Sequence, residues 1–323
     1  MNTTTATPSF ASYNLNNEIK RISTYILPIT ILTTIISNII NIIILSRRTL
    51  RSSPCPHYFL ALAISSLIYT TISPVSLFIT YEFNIVLSNT PFGCPFQPFI
   101  IYASSLFVVL MLVCASLDRV FASSSTASYR NLSHIRIAQR SIIVITILVL
   151  IYLSPVLIIF QWDYIVNRCI QSSSPIIIVF LSTRVILYYI LSPLIMIIFG
   201  LLTIHNIQSQ LRRVTLMNQG GFAHRRTENQ LVRMLVVQVA AYVFFSIPAA
   251  VTYILTTFVP SLNTTFINNI RTITIVWQQG TYVFATFLYI LSGSVYRKEL
   301  KKLFKCRNYL GQPLRLITAR LRT

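Results

Sequence analysis

Residues that could carry catalytic or metal chemistry are few in this chain and lie far apart. The 323 residues include six acids, four histidines and five cysteines. The histidines are scattered over three loops, and no group of His, Cys, Asp or Glu has the spacing of a metal site or of a catalytic set. We therefore expect no catalytic residue, no metal site and no cofactor, and we predict that the protein is not an enzyme.

Two of the rare charges stand side by side. Asp118 and Arg119 directly follow the apolar run LFVVLMLVCASL. An adjacent acid and base at the end of such a run are costly unless they lie at an interface. A long guanidinium can reach water from the edge of an apolar phase while its methylene groups stay behind. We expect Arg119 at a boundary between lipid and water.

The composition is that of a membrane protein. The chain is 54% hydrophobic, only 10% charged, and has a mean hydropathy of +0.69. A soluble domain carries about 25% charged residues. The net charge of +20 would suit a nucleic-acid partner. That partner is excluded because the basic residues fall in short clusters between long apolar runs. Residues 1–17 are polar and contain no signal-sequence core.

Seven runs are long enough to span a bilayer, which takes about 20 apolar residues. None alternates in polarity as a membrane β-barrel would, and in lipid the backbone must satisfy its own hydrogen bonds, so helices are expected. The sequence thus predicts an all-α bundle of seven transmembrane helices. The runs are Ile22–Leu45, Tyr58–Thr80, Pro95–Leu117, Ser141–Gln161, Ser174–His205, Val232–Phe258 and Phe266–Ser292.

The connecting loops set the orientation. Of the 26 basic residues, 21 fall on the side that holds Arg119 and 5 on the other side. The basic side is cytoplasmic, so the N-terminus is predicted to be extracellular. We predict a multi-pass protein of the plasma membrane with three parts. These are an extracellular tail (1–21), the helical domain (22–292) and a cytoplasmic segment (293–323) that begins with a short amphipathic eighth helix in contact with membrane lipids.

Cysteines and glycosylation sequons agree with this orientation. Cys94 and Cys169 both fall on the outer side, where a pair of thiols can oxidise to a disulfide, although two free thiols are the alternative. Asn2 and Asn263 are outer sequons that can carry sugars. Cys306 follows the basic amphipathic stretch and is either acylated or a plain thiol.

Several motifs occur at familiar spacings. Cys94 is followed 25 residues later by the Arg of DRV, and proline follows in LSPLI and in FFSIP. The segments SNIINIIIL, LALAISSL, ATFLY and SGSVYRKELKKLF occupy matching places along the chain. The chain resembles rhodopsin-like (class A) G protein-coupled receptors over residues 22–306, and among them divergent invertebrate receptors of the neuropeptide (FMRFamide-like) type. Phe245 and Ser246 stand where that family has Cys-Trp, and of Asn-Pro-x-x-Tyr only Tyr289 remains.

The resemblance implies a function and a set of switch residues. A receptor of this family binds an extracellular ligand and activates a heterotrimeric G protein by outward movement of its sixth helix. Its switch and coupling residues correspond here to Asp118, Arg119, Glu228, Pro248 and Tyr289. Glu228 precedes Pro248 by 20 residues. We therefore expect Glu228 at the inner end of the sixth helix, paired with Arg119.

The ligand pocket is less well defined by the sequence. Ile101 stands where receptors for amines have Asp, and the seventh run contains no Lys that could hold retinal. A peptide or small polar ligand is expected, while a chemosensory (odorant-type) receptor and, less favoured, a seven-helix transporter are the alternatives. Arg184, inside the fifth run, either meets an anionic group or, as we favour, reaches outward to lipid headgroups. Candidate pocket residues are Gln97, Ile101, Ser105, Trp277, Gln278 and Gln279.

Overall fold

The protein is described by a computed structural model over residues 10–51, 53–171, 175–214, 222–259, 264–283 and 296–302. Within these ranges, the side chains of residues 10–16, 49, 175–176, 210–235 and 265 are not described.

Long helices run through most of the described chain. The first four are Phe10–Leu45, Cys55–Phe83, Gly93–Ala122 and Ile135–Leu153. The fifth helix comprises Pro175–Val185, a π-helical turn Ile186–Leu191 and Ser192–Val214, and the sixth is Phe222–Phe258. The seventh begins as Thr265–Gln278 and is helical again over 280–283. One-turn helices are Arg48–Arg51, Ala127–Arg130 and Val156–Ile159.

The helices match the predicted spans. Six of them are long and apolar enough to cross a membrane within the described part of the chain. The seventh predicted run extends to Ser292, and its second half lies outside the described residues. The fourth helix shows why the bundle needs lipid. Its side chains Ile143, Leu148 and Ile151 are 59%, 58% and 64% exposed. Such a row of apolar side chains is unfavourable in water, and in a membrane it contacts the hydrocarbon of the lipids.

The third helix is the centre of the bundle, and it contacts the second, fourth, fifth and sixth helices. Other helices enclose it on several sides, because the residues that are almost completely buried include Val108, Val109, Met111, Leu112 and Ala115. Residues from both ends of this helix can therefore meet elements from the rest of the chain.

A small β-hairpin follows the fourth helix, which corrects the predicted boundary at Gln161. The helix ends at Leu153, because Pro155 has no N–H to donate to the Ile151 carbonyl, which accepts from the Ser154 N–H at 3.3 Å instead. The strands Phe160–Asp163 and Arg168–Gln171 then pair antiparallel. The Asp163 carboxylate accepts the backbone N–H groups of Ile165 and Val166 at 2.8 and 3.3 Å. Asn167 adopts a left-handed conformation at φ 49°, which asparagine tolerates, and so closes the turn.

The π-helical turn in the fifth helix results from Pro193. In this register the N–H of Ser192 bonds to the carbonyl of Leu187, five residues back. The next carbonyl, of Tyr188, would pair with the N–H of residue 193, but proline has none. The Tyr242 hydroxyl of the sixth helix donates to the Tyr188 carbonyl at 3.1 Å instead. A side chain of the sixth helix thus completes the backbone of the fifth.

A helical turn over residues 296–302 packs against the first helix. The Tyr296 hydroxyl donates to the Asn41 side-chain oxygen at 2.6 Å. Glu299, which is 4% exposed, accepts from Lys302 at 2.7 Å and from Arg47 at 3.1 Å. The Lys302 and Arg47 hydrogen bonds hold the pKa of Glu299 below its ordinary value, although burial opposes them. Ion pairs therefore anchor this segment, and the basic side chains of Arg297, Lys298, Lys301 and Lys302 stay exposed.

Candidate functional site

The disulfide that the sequence predicted joins Cys94 to Cys169. It ties the start of the third helix to the second strand of the hairpin, with the two Cα atoms 5.4 Å apart. Closing a loop of this length removes about 4.5 kcal/mol of unfolded-state freedom in the chain-entropy model. The hairpin is therefore held over one end of the bundle, which we call the disulfide end.

A cavity of about 300 Å³ lies at the disulfide end. Its walls come from the third helix, the one-turn helix Val156–Ile159, both hairpin strands and the fifth, sixth and seventh helices. The polar groups of the lining come from Gln171, Thr256, Thr257, two tyrosines and one arginine. The full lining is Tyr102, Ile159, Phe160, Gln171, Ile177, Phe180, Leu181, Tyr253, Thr256, Thr257 and Arg271.

Arg184 lies against two tyrosines of this lining, and our favoured prediction that it reaches outward to headgroups is wrong. Its guanidinium carbon is 3.8 Å from the centre of the Tyr102 ring and 5.3 Å from that of Tyr253. It also donates to the Tyr253 hydroxyl at 3.2 Å. Arg271 stacks on the same Tyr253 ring at 5.1 Å. Cation–π contacts of this kind hold a guanidinium in an apolar setting, so the charge is retained inside the bundle.

Two of the predicted pocket residues, Gln278 and Gln279, belong to a buried tyrosine network. The amide of Gln278 donates to the Tyr188 hydroxyl at 3.4 Å, and that of Gln279 to Tyr69 at 3.1 Å. Tyr69 stacks on Tyr282 at 4.5 Å. This network connects the second, fifth and seventh helices in the interior of the bundle, and neither glutamine lines the cavity described above.

The third-helix candidates and Trp277 are placed differently. Ser105 is buried and donates to the Tyr102 carbonyl at 3.1 Å. Ile101 packs against the hydrophobic core. The side-chain oxygen of Gln97 is buried and accepts no hydrogen bond from the described residues. Trp277 is 45% exposed and packs at a tilt against the Phe244 and Phe245 rings of the sixth helix. None of the six predicted pocket residues lines the cavity at the disulfide end, whereas Tyr253 and Arg271, which the sequence did not single out, do.

The sixth and seventh helices touch where the Cys-Trp motif is replaced. The Phe245 ring packs on Trp277 at 5.4 Å and on Phe244 at 5.2 Å. A Cβ atom added to Gly280 would lie 2.5 Å from the Phe245 ring. Glycine is therefore required here for close approach of the two helices. Pro248 lies one turn further on in the sixth helix and leaves one backbone hydrogen bond unmade.

The Asp118–Arg119 pair lies at the opposite end of the third helix. Counting 1.5 Å per residue, Arg119 is about 37 Å along the helix from Cys94. Arg119 donates to one Asp118 oxygen through two nitrogens at 2.6 and 3.2 Å, and the Ser133 hydroxyl donates to the other oxygen at 2.7 Å. Asp118 and Arg119 are 5% and 3% exposed. Arg119 lies close to the end of the third helix at Ala122, and its side chain is buried against Asp118 rather than exposed to water.

Other predicted site residues are only partly covered. The backbone of Glu228 is helical in the sixth helix, but its side chain is among those not described. Tyr289, Asn2, Asn263 and Cys306 lie outside the described residues. Their roles stay predictions.

The fold and its two ends define a class. A bundle of membrane-spanning helices, with a disulfide-anchored hairpin over a cavity at one end and a buried acid–base pair at the other, is the architecture of a seven-helix membrane receptor. A family model described as 7 transmembrane receptor (rhodopsin family) matches residues 37–288. The chain belongs to this family. It is a multi-pass membrane protein of a family of receptors rather than enzymes. No curated protein matches the chain.

Proposed function

We propose that the protein is a receptor of the plasma membrane with an extracellular N-terminus, which binds a peptide at the disulfide end and activates a heterotrimeric G protein. The observation that carries the proposal is the buried Asp118–Arg119 pair, about 37 Å along the third helix from the disulfide. A binding cavity and a charged switch at opposite ends of one helix are the two sites that transmembrane coupling requires.

The inner end supports a two-state switch. In the described conformation both Asp118 oxygens are engaged, one by Arg119 and one by Ser133. Glu228 lies in the sixth helix, and we propose that it adds a second acid to Arg119 and holds the sixth helix closed. Couplings of this kind are worth about 1–3 kcal/mol. An agonist that prefers the open packing would move the sixth helix outward and free Arg119 for the G protein.

The sixth helix can bend between its two ends. Pro248 weakens its backbone in the middle, while Tyr242 and Phe245 link it to the fifth and seventh helices. A small rotation near the cavity, where Tyr253 contacts Arg184, becomes a larger displacement at the far end of a long helix. This geometry connects ligand contact to the Arg119 end.

The hairpin supports a peptide ligand. Tyr164, Ile165 and Val166 at its tip are 78%, 94% and 50% exposed, which gives apolar surface beside the cavity. A cavity of about 300 Å³ takes only one end of a peptide, so the rest would lie against this tip. The same small volume would also suit a volatile or other small chemosensory ligand. The two classes are separated by which compounds activate the receptor.

The proposal is tested by a G-protein dissociation assay in cells that express the receptor, with a library of short peptides and one of small volatile compounds. We expect peptide hits, and we expect Arg119→Ala to abolish their signal at equal surface expression while ligand binding is retained. Glu228→Ala should raise the basal signal. Glu82→Ala, which removes an exposed acid from the last turn of the second helix, away from the Asp118–Arg119 pair, should not. An Arg119→Ala variant that signals normally would refute the mechanism.

The orientation has its own test. Sugar should be removed from Asn2 and Asn263 by a glycosidase applied to intact cells, with a shift in gel mobility that is lost in Asn2→Gln/Asn263→Gln. A tag at the N-terminus should bind antibody without permeabilisation. Labelling that needs permeabilised cells would reverse the proposed topology.

A further inference from the structure

The cavity at the disulfide end has the charge and hydrogen-bonding groups of an anion site. We propose that it binds an anionic group of the ligand, a carboxylate, between the Arg271 guanidinium and the Tyr253 hydroxyl, with Arg184 behind the tyrosines as a second positive charge. This inference rests on the proposed function, because it names the ligand chemistry of that receptor.

Two cations share one aromatic ring at this site. The guanidinium carbons of Arg184 and Arg271 lie 5.3 and 5.1 Å from the centre of the Tyr253 ring, so they are at most about 10 Å apart. Like charges at this separation repel each other, and the surrounding lipid-embedded protein screens them weakly. The arrangement stores positive potential that a bound anion would relieve.

No carboxylate of the described chain neutralises this potential. The four ion pairs among the described residues involve Glu18, Asp118 and Glu299, and none includes Arg184 or Arg271. The sequence has only three other acids. Glu82 is exposed at the end of the second helix, Asp163 caps the hairpin turn, and Glu228 belongs to the far end of the sixth helix. A bound anion would supply the missing counter-charge.

The donors of the site are also free to serve a ligand. The Tyr253 oxygen accepts from Arg184, so its own proton is available to another acceptor. Arg271 lines the cavity, and within the described part of the chain no side-chain hydrogen bond uses its guanidinium. A planar carboxylate can take two N–H groups from Arg271, which is the geometry that distinguishes it from a neutral amide.

The cavity size limits the group that enters. A volume of about 300 Å³ is at the lower end of the range for small-molecule pockets, about 300–1,000 Å³. This fits one amino-acid residue with its terminal carboxylate, or a small aryl or alkyl acid. The aromatic and aliphatic walls of Phe160, Phe180 and Ile177 would surround the apolar part of either ligand.

The test compares matched acids and amides on purified receptor in lipid nanodiscs, with thermal unfolding as the readout, so that it does not depend on G-protein coupling. N-acetylphenylalanine represents the end of a peptide, and 4-phenylbutyrate and octanoate represent small-molecule acids. Each is compared with its own amide at millimolar concentration. We expect at least one acid to raise the melting temperature by about 1–3 °C more than its amide, as a ligand at about ten times its Kd does.

Variants decide whether the effect belongs to this site. Arg271→Gln and Tyr253→Phe should each remove at least half of the difference between acid and amide. Arg168→Gln, which removes an exposed arginine of the adjacent hairpin, should leave it intact. A response to N-acetylphenylalanine but not to the other acids assigns the anion to a peptide C-terminus, and the reverse result assigns it to a small-molecule acid. Equal stabilisation by acids and amides in all three pairs, or a preference for acids that survives Arg271→Gln, overturns the proposal. If the acids stabilise the protein but no peptide or acid activates a G protein, the anion site stands and the proposed function fails.

Discussion

Tyr242→Phe removes one oxygen atom and tests the link between the fifth and sixth helices. Tyr242 is 1% exposed, and its hydroxyl donates to the Tyr188 carbonyl at 3.1 Å. That carbonyl has no backbone partner, because Ser192 bonds to Leu187 and residue 193 is proline. The variant loses the hydrogen bond and leaves a buried carbonyl unsatisfied, which costs about 1–3 kcal/mol. We expect the melting temperature of the purified receptor to fall by about 2–6 °C.

A second substitution makes this reasoning refutable. Pro193→Ala restores a backbone N–H, and the Tyr188 carbonyl then gains a backbone donor whether the helix keeps the π register or returns to the α register. Tyr242→Phe should therefore cost less than about 0.5 kcal/mol in the Pro193→Ala background. Tyr129→Phe, at a tyrosine that is 54% exposed, controls for loss of a hydroxyl and should be close to neutral. If Tyr242→Phe costs the same with and without Pro193, the hydroxyl does not complete the helix.

Three further outcomes are expected. Asp118→Asn should raise basal G-protein signalling and lower the melting temperature, because breaking a buried ion pair costs about 3–5 kcal/mol. Ser133→Ala should change both quantities in the same direction by a smaller amount. An Asp118→Asn variant with unchanged stability and unchanged basal signal contradicts the switch. Gly280→Ala should cost about 1–3 kcal/mol in stability, because its Cβ would lie 2.5 Å from the Phe245 ring. Adding Phe245→Leu should recover most of this loss. If the losses of the two single variants simply add in the double variant, the two residues do not clash. Glu299→Gln should destabilise the protein by about 1–2 kcal/mol at pH 7, where the carboxylate is charged. Because the pKa of Glu299 is lowered in the folded state, this difference in stability should shrink as the pH falls below the ordinary carboxyl pKa and through the folded one. A difference that stays constant between pH 7 and pH 4 would rule out the ion pairs as its source.

Much of the architecture could be predicted because hydropathy and loop charge are local properties. The span Pro95–Leu117 lies inside the helix Gly93–Ala122. Both Cys94 and Cys169 were predicted on the outer side, where a pair can oxidise, and the structure has the disulfide rather than two free thiols. The fourth span was predicted to end at Gln161, but the helix is interrupted at Pro155, resumes for one turn over Val156–Ile159 and gives way to a strand at Phe160. Composition alone does not distinguish a strand from a helix in such a run.

The direction of individual side chains was decided by the tertiary structure. From the sequence we favoured an outward direction for Arg184, toward the headgroups, but two tyrosines from the third and sixth helices hold it inside the bundle. Arg119 stands near the end of the third helix, and the burial of its side chain there depends on Asp118 and on Ser133 of the following loop. For both arginines, some contacts come from residues that are distant in the sequence, and whether these contacts form depends on how each helix is rotated about its axis. A sequence states how apolar a helix is and where it ends. Which way it faces depends on the close contacts among helices, and these determine whether a buried charge is stabilised there.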